Sequence, residues 1–144
     1  KHNYKQLIMN LQEFLKESLG KKCDWIFTVI KPGFLNRAED IIKLFEQYGW
    51  EVMQTRPKRL TLAEAKKLYA VHKKEDFYDA LCDYMSSGES LAIKFRKPNC
   101  TDVFREADAI KDLVRKKWGE SDMRNVLHSS DSFVHMEEES SIYF

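Results

Sequence analysis

A six-residue apolar run, Trp25 to Ile30, restricts what this chain can fold into more than any other stretch. It combines aromatic and β-branched residues in the sequence WIFTVI, with Lys-Lys shortly before it and Lys-Pro-Gly directly after it. Runs of this length and composition are typical of strands that are buried inside a sheet. The run therefore predicts a buried strand and a fold that contains a sheet.

Further strand candidates alternate with amphipathic helices along the rest of the chain. Apolar and β-branched patterns predict strands at 50–59 and 91–95 and a short extended piece at 125–128. Apolar spacings of three and four predict helices at 36–49, 61–69, 76–85, 101–117 (in two pieces) and 131–139. This order predicts an α+β sandwich with helices on one side of an antiparallel sheet.

Local residues predict how two helices begin and where one strand lies. Asn36 with Glu39, and Thr61 with Glu64, have the spacing of helix capping pairs. Pro57 lacks the backbone N–H that a central strand needs. The strand that contains Pro57 is therefore expected at an edge or with a bulge.

An apolar stripe in the first part of the chain predicts an additional helix. Apolar residues recur at steps of three and four up to Gly20, at Tyr4, Leu7, Ile8, Leu11, Phe14, Leu15 and Leu19. We place an N-terminal extension at 1–22 and one domain at 23–144, because 144 residues with 43% hydrophobic content suffice for one core. The stripe is expected to pack on the domain or on a second subunit, with a membrane-surface role as the alternative.

Composition argues against several classes of function. The 24 basic and 23 acidic side chains leave a net charge of +1, which disfavours a broad nucleic-acid-binding face. Three cysteines without Cys-x-x-Cys spacing indicate neither a disulfide framework nor a zinc site, so a reducing, cytoplasmic location is expected. No apolar run approaches the roughly 18 residues of a membrane span, so we expect a soluble protein without a membrane partner.

Four histidines are candidates for chemistry, and composition alone does not choose among them. His2 and His72 have the surroundings of surface residues, and a solvated charge pair is a sufficient explanation for His135. His128 differs, because Asn125 precedes it and the polar residues Ser-Ser-Asp-Ser follow it. Both a catalytic histidine and a structural histidine at a strand end fit this pattern.

Several separated segments resemble motifs of the nucleoside diphosphate kinase family. Asn125 to Ser132 (NVLHSSDS) is similar to the family's active-site motif Asn-x-x-His-Gly-Ser-Asp, and Ile30-Lys31-Pro32 is similar to its Val-Lys-Pro-Asp. Tyr84 to Gly88 (YMSSG) resembles its Tyr-Met-x-Ser-Gly-Pro turn, and Ser141 to Phe144 resembles its terminal Ile-x-x-Trp-Phe. The resemblance covers about residues 24 to 144 and implies a ferredoxin-like sandwich with a four-stranded antiparallel sheet.

The histidine motif, by this resemblance, implies phosphoryl transfer through a covalent intermediate. His128 would take the γ-phosphate from a nucleoside triphosphate and pass it to a nucleoside diphosphate. A neutral imidazole is a competent nucleophile near pH 7. Glu139 would orient the imidazole, and Ser130 belongs to the same catalytic set. Mg²⁺ is expected as the cofactor, held by nucleotide phosphates and water without a protein metal site.

The resemblance also assigns nucleotide-binding positions. Arg105 and Arg115 match the family's two phosphate-binding arginines, and Tyr69 matches its phosphate-contacting tyrosine. Phe77 matches the phenylalanine that stacks on the base, which predicts broad base tolerance. The nucleotide-binding set implied in this way is Lys31, Tyr69, Phe77, Arg105, Arg115 and Asn125, with Lys31 and Asn125 at the sugar hydroxyls.

The sequence departs from the family's pattern in four places. Gly33 stands where the family has aspartate, and Ser129 stands where it has the glycine after the histidine. The interval between the two arginines is shorter than usual and lacks the Gly-x-Thr-Asn-Pro segment, which favours a dimeric homo-oligomer over a hexamer. The residue that closes the base pocket is Asp122 by strict counting, with Met123 as the alternative.

Three functions remain open at the level of sequence. The first is nucleoside diphosphate kinase activity, with nucleoside tri- and diphosphates as partners. The second is a related nucleotide-binding or assembly module with weak or no catalysis, which the departures favour. An RNA-binding ferredoxin-like domain is the third, and the lack of a basic aromatic sheet motif argues against it.

Overall fold

The computed structural model describes residues 4–8, 10–12 and 24–144. In this part of the chain, no helix is both long enough and apolar enough to cross a membrane. Residues 4–8 and 10–12 are helical, as predicted. Three residues of the predicted stripe (Phe14, Leu15 and Leu19) and its end at Gly20 lie outside the described residues, and the domain boundary after residue 22 stays a prediction.

The folded domain alternates strands with helices. Its elements are β1 (Trp25–Ile30), α1 (Ala38–Gln47), β2 (Glu51–Lys58), α2 (Leu62–Leu68), α3 (Tyr78–Met85), β3 (Ser90–Arg96), α4 (Val103–Trp118), β4 (Leu127–Ser129) and α5 (Phe133–Tyr143), with 3-10 turns at Leu35–Arg37 and Ala70–His72. Every predicted strand is present, and β1 coincides with the apolar run that predicts it. The α+β fold class is confirmed.

The four strands form one antiparallel sheet in the order β2-β3-β1-β4. Strand β2 lies at an edge, which confirms the expectation drawn from Pro57, whose missing N–H would break a central ladder. Its register shifts between Val52 and Gln54, whereas Pro57 pairs in register with Leu91. Strand β4 forms the other edge and pairs with β1, so that His128 lies opposite Val29.

Helices cover both faces of this sheet, and the expectation of helices on one side is wrong. Phe45 of α1 stacks on Phe95 of β3 at 4.0 Å between ring centroids. Phe27 of β1 projects to the opposite face, where Tyr143 of α5 lies 5.8 Å from it. The cause is visible in β1 itself, since five of its six residues are buried and a strand alternates its side chains between faces.

Capping side chains explain where helices α2 and α5 begin, whereas α1 has none. Thr61 and Glu64 form the predicted capping box at α2. The predicted cap at Asn36 is wrong, because a 3-10 turn precedes α1 and no side chain caps it. Helix α5 begins after Ser132, whose Oγ accepts the His135 N–H.

Helix α4 is one continuous helix, and the prediction of two pieces is wrong. Asp102 caps its first turn by accepting the backbone N–H of Arg105 at 3.2 Å. Four buried residues then follow each other at steps of four, three and four: Val103, Ala107, Ile110 and Val114. This spacing keeps one apolar face against the core over the whole helix, so nothing interrupts it.

Candidate active site

A cavity of about 540 Å³ opens beside β4, α4 and α5. Its lining contains seven of the nine site residues expected from the sequence, namely Lys31, Tyr69, Phe77, Arg115, Asn125, His128 and Glu139. The other two do not line it. Ser130 lies behind Glu139, and Arg105 lies elsewhere on α4.

Strand β4 and helix α5 hold His128 and Glu139 against each other. Pairing of β4 with β1 places His128 on the face of the sheet that α5 covers. His128 Nε2 lies 2.5 Å from Glu139 Oε1, and Ser130 Oγ donates to the same oxygen at 2.8 Å. An ionised carboxylate can only accept. We therefore assign the proton to Nε2, which leaves the lone pair on Nδ1 of a ring that lines the cavity.

A tight turn precedes the histidine strand. Val126 has a φ of 79°, and the Leu127 N–H donates to the Asn125 carbonyl at 3.0 Å, which closes a three-residue turn. Such a backbone conformation is rare for a β-branched residue and costs on the order of 1–3 kcal/mol. The Lys31 N–H donates to the Val126 carbonyl at 2.8 Å. The turn thus brings Asn125, Lys31 and the histidine strand together.

Three cationic side chains line the cavity: Lys31, Lys111 and Arg115. Burial, assisted by the charges of Arg115 and Lys111, lowers the pKa of Lys31 to about 7. Burial also lowers the pKa of Arg115, whose Nε and Nη2 donate to the Leu127 carbonyl at 3.2 and 2.9 Å. A buried lysine whose pKa is lowered by two neighbouring cations indicates a site built for an anion.

Arg105 is not brought to this cavity. It is an exposed residue of the first turn of α4, ahead of the residues of that helix that reach the site. Lys111 lies at the cavity in addition to Arg115, and the sequence comparison with the family did not single it out. A detectable signal was its spacing of four from Arg115, which places both on one face of a helix.

Polar atoms without a protein partner point into the same region. Across residues 4–8, 10–12 and 24–144, four buried side-chain polar atoms lack a hydrogen-bond partner. Three of them, Tyr69 Oη, Asn125 Oδ1 and Ser129 Oγ, belong to residues that line the cavity. Burial keeps the pKa of Tyr69 well above its usual value, so its hydroxyl remains a donor. Native proteins rarely leave such atoms unpaired, and a polar ligand would satisfy them.

One wall of the cavity is aromatic. Phe77 is 45% exposed, and its ring centroid lies 5.4 Å from that of His72. The Tyr69 ring lies edge-on to His128 at 5.4 Å. Both Asp122 and Met123, the alternatives for the far side of the base pocket, line the cavity. A flat exposed ring beside a set of cations suits a ligand with a planar base and phosphates.

Gly33 owes its presence to backbone geometry. Its φ is +90°, and a Cβ placed there would lie 2.9 Å from Arg124 Nη2. Arg124 stacks between Phe34 at 5.2 Å and Tyr84 at 5.3 Å. An aspartate at this position would meet both a strained backbone and this guanidinium. The departure from aspartate thus follows mainly from the positive φ at this position.

No group of three or more His, Cys, Asp and Glu side chains that could hold a metal ion occurs in the described residues. The cavity nevertheless contains three carboxylates, those of Asp122, Asp131 and Glu139. Asp131 pairs with His135 at 2.7 Å, which lowers the pKa of Asp131 and raises that of His135. The lining of the cavity thus combines three cationic side chains with three carboxylates, and the carboxylates of Asp131 and Glu139 are each paired with a histidine.

The chain is similar to known nucleoside diphosphate kinases. The model of the nucleoside diphosphate kinase family matches residues 25–144. A nucleoside diphosphate kinase of Fervidobacterium nodosum is 32% identical over 127 residues, which cover 82% of this chain and 86% of the relative. One of Flavobacterium psychrophilum is 33% identical over 115 residues, which cover 74% of this chain and 83% of the relative.

Solved structures give the same fold. The nucleoside diphosphate kinase of Aquifex aeolicus aligns with a TM-score of 0.70 at 22% identity, over 84% of this chain and 94% of that one. A nucleoside diphosphate kinase family protein of Babesia bovis aligns with a TM-score of 0.71 at 20% identity, over 84% and 88%. Together with the match over 25–144, these likenesses show that the chain belongs to the nucleoside diphosphate kinase family.

Proposed function

We propose that this protein is a nucleoside diphosphate kinase, which moves the γ-phosphate of a nucleoside triphosphate to a nucleoside diphosphate through a phosphohistidine at His128. The observation that carries the proposal is the contact of His128 Nε2 with Glu139 Oε1 at 2.5 Å. This contact fixes the tautomer in which Nδ1 keeps its lone pair. A histidine so held at the wall of a cationic cavity is an activated nucleophile.

The reaction proceeds in two half-reactions. Nδ1 of His128 attacks the γ-phosphorus, the bond from that phosphorus to the β–γ bridging oxygen breaks, and the nucleoside diphosphate leaves with the bond's electron pair. The imidazole becomes positively charged, and Glu139 stabilises that charge through Nε2–H. A β-phosphate oxygen of a second nucleoside diphosphate then attacks the phosphorus, and the N–P bond breaks to restore the neutral ring.

The remaining residues bind and orient the nucleotide. Arg115 and Tyr69 are donors for phosphate oxygens, and Lys31 with Asn125 would bind the sugar hydroxyls. Phe77 provides the stacking surface for the base. Mg²⁺ would enter with the nucleotide, held by phosphate oxygens and water, and would neutralise part of the phosphate charge. The unpartnered Tyr69 Oη and Asn125 Oδ1 fit these roles.

The test is labelling of the purified protein with γ-labelled ATP. Wild-type protein is expected to gain acid-labile, base-stable phosphate, and His128→Asn is expected to gain none while keeping the wild-type melting temperature. His135→Asn removes an imidazole that does not line the cavity and serves as the matched control. Label that persists on His128→Asn would refute the role of this histidine.

A nucleotide-binding or assembly module without catalysis is the second candidate. The buried, unpartnered Ser129 Oγ next to His128 and the absence of Arg105 from the cavity favour it. Wild-type protein that binds ATP but gains no acid-labile phosphate would establish this alternative. Label that is acid-stable would instead indicate transfer to a hydroxyl such as that of Ser129 or Ser130.

We also propose that the protein forms homodimers in the cytoplasm. The edge strand β2 is exposed along most of its length, including Val52 and Met53, and supports association of two copies. The short connection before Arg115 disfavours the larger hexamer. The free thiols of Cys82 and Cys100 agree with a reducing compartment. Light scattering of the purified protein measures the oligomeric state directly.

A further inference from the structure

Helix α4 presents two cations, one turn apart, to the nucleotide cavity. Lys111 and Arg115 both line the cavity. A spacing of four residues places their side chains on the same face of the helix. Arg105 lies ten residues before Arg115 on the same continuous helix, which separates the two by about 15 Å along the axis and rotates them by about 80°. Arg105 therefore cannot share a phosphate with Arg115 without breaking α4.

Lys111 is placed so that its charge is available to a ligand. Its side chain is 18% exposed, and its Nζ lies 3.1 Å from Asp108 Oδ1 one turn earlier on the helix. Asp108 is 46% exposed, and a pair that is open to solvent on one side contributes little net stability. A terminal phosphate group, which carries up to about two negative charges near neutral pH, can replace this single carboxylate as the partner of Lys111.

The charge of Lys111 reaches the buried part of the cavity, where Lys31 lies. Its charge, with that of Arg115, opposes protonation of Lys31 and so contributes to the lowered pKa of that residue. Two donors of Arg115, Nε and Nη2, already bind the Leu127 carbonyl. Lys111 is therefore a further cation of the cavity, and its only ion pair among the described residues is with the half-exposed Asp108.

We infer that Lys111 is a phosphate-binding residue of this protein and supplies, beside Arg115, the second positive charge of the polyphosphate site. The inference rests on the proposed nucleotide-binding function. Lysine provides a compact point charge in place of the planar, two-pronged donor of an arginine. Compared with a site of two arginines, this site has the same positive charge, because Lys111 replaces Arg105. It has one bidentate contact to phosphate fewer.

The test compares Lys111→Gln, Lys111→Arg, Arg105→Gln and Lys117→Gln by calorimetric titration with AMP, ADP and ATP. Lys117 lies on the last turn of the same helix over the Trp118 ring, outside the cavity, and controls for the loss of one charge. Lys111→Gln should weaken ATP and ADP binding by about tenfold or more and AMP binding by less. Lys111→Arg should restore most of the affinity, and Lys117→Gln should bind like the wild type.

The outcomes separate this inference from the proposed function. Wild-type protein that does not bind ADP or ATP would overturn the nucleotide-binding function and the inference with it. Wild-type binding that Lys111→Gln leaves unchanged, or a larger loss in Arg105→Gln, would overturn the inference alone. An equal loss for AMP, ADP and ATP, or a lowered melting temperature in Lys111→Gln, would indicate a structural role and also overturn it.

Discussion

Replacement of Lys31 by methionine is expected to stabilise the ligand-free protein most at and below neutral pH. The ammonium is 3% exposed, and its main partners are the Met123 carbonyl at 3.3 Å and the Tyr69 ring at 5.8 Å. A fall in pKa from 10.5 to about 7 corresponds to a destabilisation of roughly 5 kcal/mol when the group is protonated in both states. Methionine removes this charge and has nearly the same side-chain volume as lysine.

The sign of the pH dependence follows from proton binding. Between pH 7 and 10.5 the unfolded state holds more protons at Lys31 than the folded state, so stability of the wild type rises with pH in this window. The advantage of Lys31→Met should therefore be complete below pH 7 and should shrink by roughly 2 kcal/mol between pH 7 and pH 9.

Urea unfolding of both proteins from pH 6 to pH 9, without nucleotide, measures this difference. Lys117→Met removes a lysine from the surface end of α4 and corrects for the change in net charge. A difference between Lys31→Met and the wild type that stays constant over this range would refute the reasoning, because it would mean that burial does not perturb Lys31. Saturating ADP should reduce the advantage, since its phosphates favour the protonated lysine.

Three further substitutions test other contacts. Glu139→Gln should slow labelling of His128 by ATP on the order of a hundredfold, because the amide keeps the hydrogen bond and loses the charge. Quenched-flow measures this rate, and an unchanged rate would contradict the role of the Glu139 charge. Ser129→Ala should stabilise the ligand-free protein by about 1 kcal/mol in calorimetry, since it removes an unpartnered buried hydroxyl, and a lower melting temperature would speak against it. Thr61→Ala should cost about 1 kcal/mol in urea unfolding by loss of the capping box, and no loss would show that the cap is dispensable.

Patterns that depend on neighbouring residues were predictable from the sequence. The buried strand β1 follows from six apolar residues, and the capping box at Thr61 follows from one spacing of three. The edge position of β2 follows from Pro57, because a missing N–H is a property of the residue itself. In each case the physical cause lies within a few residues of the effect.

Features that depend on distant packing were not predictable in this way. The loss of Arg105 from the site follows from the continuity of α4, which the buried stripe from Val103 to Val114 maintains against the core. The resemblance assigned Arg105 by its position in the sequence, which does not show where a continuous helix directs the side chain. Gly33 is favoured by a positive φ of 90°, a backbone conformation that the surrounding fold sets and the neighbouring residues do not reveal. That helices cover both faces of the sheet likewise depends on distant packing, because α5, at the end of the chain, packs on the face opposite to α1.

The unbroken helix α4 also determines which part of the protein can move when a nucleotide enters. Lys111 and Arg115 lie on one continuous helix whose inner face is buried. Their backbone therefore cannot move toward the ligand as a loop could. Phe77 stands just ahead of α3, after the 3-10 turn at Ala70–His72, and is exposed. Opening and closing of the site should therefore occur as a hinge motion of the α2–α3 segment against a stationary cationic wall, on the microsecond to millisecond scale of such motions. Relaxation-dispersion NMR would locate exchange broadening in 62–85 and leave 107–115 without it.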